Sequence, residues 1–223
     1  MPPALAHIDT WIFDLDNTLY PASSNLFARI DARMTDYIAR LLGLSQDEAY
    51  ALQKQYYFDH GTTLAGLMAR HGVDPHHFLD DVHAVELDVI DPDPVLAARI
   101  AALPGRKLVF TNGDTAYAER VLVKRGLGSV FEGVCDILAT GLVPKPDPRA
   151  YATLCADHRV QPQTALFAED LARNLAPAKA IGMATLWIDG GSEQPPADAL
   201  PDYIDFTTHD LSHWLADLHG ELA

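Results

Sequence analysis

The chain has 223 residues, of which 48% are hydrophobic and 21% charged, a balance that excludes a wholly disordered, collagenous or disulfide-stapled protein. Lys and Arg number 16 against 31 Asp and Glu, for a formal charge of −15. No cationic patch interrupts this acidity, and no Lys or Arg follows Lys179, so nucleic acid polymers and anionic membranes are excluded as partners.

The N-terminal residues lack the basic region and apolar stretch of a signal peptide, and no apolar run approaches the ~20 residues that span a bilayer. The expectation is a cytoplasmic protein in which Cys135 and Cys155, each in an apolar run, are small buried hydrophobes.

The first apolar run is Trp11-Ile12-Phe13, and it leads straight into Asp14-Leu15-Asp16-Asn17-Thr18. From about Pro21 to Asp91 no strand pattern occurs. Leu26, Phe27, Ile30, Met34, Tyr37, Ile38, Leu41 and Leu42 recur at three- and four-residue spacing, which predicts one long amphipathic helix ending near Gly43. Ser45 and Glu48 form a capping box for the next helix, and shorter helices are expected at 63–70 and 75–87. Five of the ten histidines lie between His60 and His83, none at a metal-ligand spacing, and they read as surface or capping residues.

After Asp91-Pro92-Asp93-Pro94, strands and helices alternate. Strands are expected at 108–110, 165–168 and 185–188, with a weaker one at 203–206. Helices are expected at 94–103, 115–125, 148–156 and 171–180, and a last amphipathic helix carries Leu211, Trp214, Leu215, Leu218 and Leu222. Runs apolar on both faces fit the interior of a parallel sheet. The pattern is a doubly wound, Rossmann-like α/β parallel sheet with an inserted helical domain. It divides the chain into a core of residues 1–18 and 92–223 and an insert of residues 19–91. Gly126-Leu127-Gly128 follows a helix and lacks a third glycine, so it is no dinucleotide fingerprint.

The polar residues cluster at strand ends. Asp14 and Asp16, two apart in an extended chain, share one side of it. In an open α/β sheet that end faces the ligand crevice. The next strand ends in Thr111-Asn112-Gly113, Lys145 follows in Val143-Pro144-Lys145-Pro146, and the third ends in Glu169-Asp170, with Asn174 four residues beyond. Carboxylates that hold a hard cation, together with donors around phosphate oxygens, are what phosphoryl transfer requires.

In these motifs the chain resembles the haloacid dehalogenase superfamily of aspartate-nucleophile phosphotransferases: Asp14-x-Asp16, Thr111, Lys145 and Glu169-Asp170 occur in order, and the helical insert stands where that superfamily carries its α-helical cap. Phe13 to Pro21, His60-Gly61-Thr62-Thr63-Leu64 and Phe110-Thr111-Asn112-Gly113 are similar to the pyrimidine 5′-nucleotidase branch. The resemblance implies that Asp14 is the nucleophile, Asp16 the general acid and base, and Thr111, the Asn112 backbone, Gly113 and Lys145 the phosphate site. It implies a cation on Asp14, the Asp16 carbonyl and Asp170, with Glu169 bound directly or through water. Oxygen ligands without His or Cys favour Mg²⁺ over Zn²⁺. Leu171 replaces the serine that often follows the acidic pair, and Asn174 replaces a second acid, which leaves Asn174 an orienting role behind the ligands.

The implied activity is phosphate monoester hydrolysis through an aspartyl-phosphate. A small phosphorylated substrate is expected, a pyrimidine nucleoside 5′-monophosphate held by the insert through Tyr56, Tyr57, Phe58, His60, Thr62 and Thr63. Small sugar phosphates, phosphoglycolate and phosphomutase chemistry are the alternatives; a dehalogenase has no use for Asp16 as an acid, and a scaffold has no need of the full set.

Overall fold

The computed structural model describes residues 5–191 and 200–220. It divides into two compact units, residues 1–24 with 90–223, and residues 25–89.

The first unit is built on six parallel strands: β1 (Thr10–Phe13), β2 (Arg106–Phe110), β3 (Gly133–Cys135), β4 (Ala165–Glu169), β5 (Ala184–Ile188) and β6 (Phe206–Thr208). Their order is β3-β2-β1-β4-β5-β6, so the chain reverses its direction of travel across the sheet between β1 and β4. All residues of β1 and β4 are buried, as expected of strands covered by helices on both faces. The helices are α5 (Pro94–Ala102), α6 (Thr115–Arg125), α7 (Pro148–Asp157), α8 (Leu175–Ala180) and α9 (Leu211–His219). Asp93, Asp114, Asp147 and Asp210 each cap one of them by accepting a hydrogen bond from a first-turn amide. Ile12, Phe110, Tyr151, Phe167 and Trp187 lie in the core between these layers. Cys135 and Cys155 are free, and burial pushes the Cys135 thiol up to about 12, so it stays protonated.

Three elements of this unit differ from the sequence reading. β3 has only three residues, one of them glycine, too short a run to show a period. β6 begins at Phe206 rather than Tyr203, because the Asp205 carboxylate turns back to accept from the amide of Thr185. The helix expected at 171–180 is a 3-10 turn at Ala172–Asn174 followed by α8, with Pro177 in its first turn, where no amide donor is needed. Leu222 and residues 1–4 lie outside the described residues.

The second unit contains α1 (Leu26–Leu42), α2 (Gln46–His60), α3 (Thr63–His71) and α4 (Pro75–Val82). Leu26, Ile30, Tyr37 and Ile38 form the buried stripe of α1, and Gly43 ends the helix with a φ of 66°. Ser45 and Glu48 make both bonds of the capping box. Gly66 on α3 faces Tyr56 on α2 so closely that a Cβ there would lie 2.4 Å from Tyr56 Cβ. The helix expected at 75–87 stops at Val82, where His83 caps it.

The units part at 24/25 and 89/90, inside the expected 19–91 insert, and Arg125 supplies the reason. Its buried guanidinium donates to the Leu19 carbonyl at 3.0 Å, to the Asp91 carbonyl, and to the Asp93 carboxylate at 2.9 Å. The outgoing and returning chain are thereby both fastened to the α/β unit.

Candidate active site

β1 ends at Phe13, and Asp14 follows with its amide still donating to Ala168 O of β4 at 2.9 Å. The chain then turns sharply: Leu19 N bonds Leu15 O at 3.0 Å, and Asn17 takes a φ of 58°, a left-handed conformation that asparagine tolerates. The turn keeps Asp14 at the strand end, beside the neighbouring ends of β2 and β4.

Lys145 is the hub of the site. Its ammonium donates to Asp14 Oδ1 at 2.7 Å, Glu169 Oε2 at 2.7 Å and the Phe110 carbonyl at 2.8 Å. Only 2% of the residue is exposed, and it lies over the rings of Phe110 and Phe167. Burial draws the ammonium toward neutrality, but the charges of Asp14 and Glu169 and their hydrogen bonds outweigh it and raise Lys145 above its ordinary value. It remains charged. Burial, and next the negative charge of Glu169, push the Asp14 carboxyl well above the usual carboxylate range against the pull of Lys145.

Asp14, Glu169 and Asp170 are all buried, and each offers a carboxylate oxygen within 4.8 Å of the others. Their converging oxygens are hard donors, a set that fits a divalent cation such as Mg²⁺. Glu169 Oε1 accepts from the Leu171 amide at 3.2 Å, so both Glu169 oxygens already have donors. Asn174 is buried, and among the described residues its Oδ1 has no hydrogen-bond partner.

Thr111 Oγ1 accepts from the Gly113 amide at 3.0 Å, which leaves the hydroxyl proton available to an incoming ligand. Gly113 spends its amide inside the turn. Asn112 has a role that the sequence did not suggest. Its side chain accepts from Lys145 N at 2.8 Å and donates to Lys145 O at 3.2 Å, fastening the lysine loop to the end of β2.

Asp16 is half-buried. Its Oδ1 accepts from Tyr20 OH at 2.6 Å and Tyr117 OH at 2.8 Å. Burial, and then the Asp16 charge, raise both phenols above their ordinary values, so both remain donors. Nothing in the sequence marks Tyr117 for this role.

His60 and Thr63 belong to the helical unit. Thr63 is buried in α3, while His60 ends α2 with Nε2 buried and, among the described residues, without a hydrogen-bond partner. Thr62 caps α3, and Tyr56 is buried, its hydroxyl 2.7 Å from His71 Nε2. Phe58 is 76% exposed. Among the described residues no histidine joins a metal-ligand cluster.

The chain belongs to the haloacid dehalogenase-like hydrolase family, whose model matches residues 8–182. It is 27% identical to phosphate metabolism protein 8 of Saccharomyces cerevisiae over 82% of this chain, and it spans 63% of the yeast protein. It is also 27% identical to the glyceraldehyde 3-phosphate phosphatase of Methanopyrus kandleri, over 95% of this chain and 97% of that one. A phosphatase of the same superfamily from Thermococcus onnurineus superposes with a TM-score of 0.62 at 19% identity, covering 96% and 98% of the two chains. An L-2-haloacid dehalogenase from Xanthobacter autotrophicus superposes with a TM-score of 0.58 at 17% identity, covering 96% and 99%. At these identities superposition establishes the fold and nothing finer. Among the described residues no helix is long and apolar enough to cross a membrane.

Proposed function

We propose that the chain is a Mg²⁺-dependent phosphatase that works through an aspartyl-phosphate on Asp14. The observation that carries this reading is the buried lysine bonded at 2.7 Å to both Asp14 and Glu169, beside three converging carboxylates. Lys145 fixes the nucleophile and supplies positive charge where phosphoryl oxygens gather. Asp14 attacks phosphorus as the bond to the leaving oxygen breaks, and Asp16 gives that oxygen a proton. Water then attacks the aspartyl-phosphate while Asp16 takes a proton back, releasing orthophosphate and restoring Asp14. The Thr111 hydroxyl, the Asn112 amide and Lys145 hold the transferring group. Asp14, the Asp16 carbonyl and Asp170 would hold Mg²⁺, with Glu169 bound directly or through water, and the ion would supply charge that keeps Asp14 ionised and offsets the phosphate dianion. Asp16 separates this chemistry from dehalogenation, which needs no acid at that position.

For substrate, we assign a preference for pyrimidine nucleoside 5′-monophosphates. Its support is the likeness of the strand-end motifs and of His60 to Leu64 to the nucleotidase branch. The exposed Phe58 ring adds a face on which a base can stack. Tyr56 and Thr62 drop out of that role, since one packs the unit and the other caps α3. A second reading, a small sugar phosphate, is favoured by the full-length match to the archaeal glyceraldehyde 3-phosphate phosphatase.

The test is kcat/KM with Mg²⁺ for UMP and CMP against AMP, glyceraldehyde 3-phosphate, phosphoglycolate and a hexose phosphate, with halide release from a 2-haloacid as control. UMP and CMP should lead, and no halide should appear. Asp14→Asn should fold and lose turnover; near-normal activity in that variant sinks the phosphatase reading. A lead for glyceraldehyde 3-phosphate replaces the nucleotide reading alone.

A further inference from the structure

We propose that Tyr151 and Trp187 are positioning residues, two buried ring donors that clamp the main chain of the acidic loop after β4 and so place the Asp170 carboxylate for a divalent cation. This rests on the Mg²⁺ reading above, in which Asp14 and Asp170 would hold the ion.

Pairing between β4 and β5 ends where Glu169 stands opposite Trp187, so the Asp170 backbone lies beyond the last rung of that ladder. Trp187 extends the hold by one residue: its indole Nε1 donates to the Asp170 carbonyl at 2.9 Å. At the far end of the loop the hydroxyl of Tyr151, on α7, donates to the Asn174 carbonyl at 2.5 Å. Between these two points the Asn174 amide donates to the Leu171 carbonyl at 2.9 Å, and the Leu171 amide donates to Glu169 Oε1 at 3.2 Å. Both rings are fully buried in the core. Burial, and next the charges of Glu169 and Asp14, push the Tyr151 phenol well above its ordinary value, so it stays a donor.

Tyr151 also ties the loop to the lysine. Its ring meets Phe110 edge-on at 5.2 Å and Phe167 at 6.2 Å between centroids. Those two rings lie against the Lys145 ammonium at 5.1 and 5.2 Å. One aromatic cluster therefore supports both the ammonium and the loop that carries Asp170.

On a fixed main chain the Asp170 carboxylate keeps only two side-chain torsions. Mg²⁺ demands near-ideal octahedral geometry at about 2.0–2.1 Å, so a ligand on a loosened loop binds it less well. Losing a hydrogen bond behind a ligand costs about 10–100-fold in metal affinity. The bland alternative is that the rings fill the core and their donors merely satisfy two loop carbonyls. Substitution would then lower stability equally with and without Mg²⁺ and leave its dissociation constant alone. Trp11 supplies the control, since it is a buried indole whose Nε1 also donates at 2.9 Å to a carbonyl, that of Pro104, which precedes β2 at the opposite end of the strands.

The experiment compares wild type, Tyr151→Phe, Trp187→Phe, the double variant and Trp11→Phe, each with its folding checked by circular dichroism. Melting in EDTA gives the stability without metal, and the rise in melting temperature with added Mg²⁺ gives the dissociation constant. That constant should rise about tenfold in each single variant and on the order of 10² in the double. Trp11→Phe should lower the melting temperature in EDTA yet leave the constant within about twofold, because it loosens no ligand. In turnover, the Mg²⁺ giving half-maximal rate should rise by the same factors, while the ester KM at saturating Mg²⁺ stays within about twofold. Tyr151→Phe removes a single oxygen atom and keeps the test decisive should the double variant fail to fold. An unchanged constant in either folded single variant, or an equal rise in Trp11→Phe, overturns the proposal. A wild type that binds no Mg²⁺ overturns the metal reading and this one with it. Mg²⁺ binding without hydrolysis of any ester overturns the phosphatase reading alone, and the dissociation constants still decide this one.

Discussion

Replacing Lys145 by methionine tests whether the site is held together by its buried charge. Methionine keeps an unbranched chain of similar length and removes the ammonium. Three hydrogen bonds are lost, at 2.7, 2.7 and 2.8 Å, and Asp14 and Glu169 are left buried without their cation. Removing one partner of a buried pair costs about 3–5 kcal/mol. At about 2–4 °C per kcal/mol for a chain of this size, melting should fall by roughly 6–20 °C at pH 7 in EDTA. The sign with pH follows from the direction of each shift. The folded lysine is raised above its unfolded value, so its contribution is fully present at neutral pH and is lost only as pH climbs through the folded value. In the variant, Asp14 is raised without a counterweight. Its penalty is absent below the unfolded carboxylate value and grows as pH rises through the folded one. The deficit should therefore shrink as the pH is lowered from 7 toward 4. Urea unfolding of both proteins across that range measures it. A deficit below about 1 kcal/mol at pH 7, or one that does not change with pH, refutes the claim that Lys145 balances these carboxylates.

Two further outcomes follow from the same geometry. Mg²⁺ should raise the melting temperature, by about 2.7 kcal/mol of stability at a hundred times its dissociation constant, with the effect growing as pH rises because protons compete with the ion at Asp14; equal Mg²⁺ stabilisation of an Asp14→Ala, Asp170→Ala double variant would place the ion elsewhere. Gly66→Ala should destabilise the helical unit by about 1–3 kcal/mol, since the new Cβ meets the root of the Tyr56 side chain, which cannot swing away. Combined with Tyr56→Gly, which removes the Cβ that it meets, it should cost less than the two single substitutions summed, and unfolding followed by circular dichroism reads both.

What could be read from the sequence was local in origin. The stripe from Leu26 to Ile38, the Gly43 stop and the Ser45–Glu48 box depend on neighbours within one or two turns, so spacing and capping chemistry reveal them. The buried strands show because both their faces are covered, and the strand-end polar residues show because each interrupts such a run. The motif order then placed Asp14, Lys145, Glu169 and Asp170 in one proposal, and the fold brings them within hydrogen-bonding or ligand distance. Tertiary structure decided the rest. β3 exists because β2 offers it a partner, not because Gly133–Cys135 has any strand pattern of its own. The edges of the helical unit are set by one buried guanidinium from α6, which no composition shift near residue 24 or 90 announces. Asn112 clasps the backbone of Lys145 33 residues away, and Tyr117 reaches Asp16 across 101 residues. Such bonds depend on where two crossovers bring the chain, and a sequence period records only what repeats along one element. For this reason Asp14 stood out in the residues, whereas the two phenols that bond Asp16 became visible only in the folded chain.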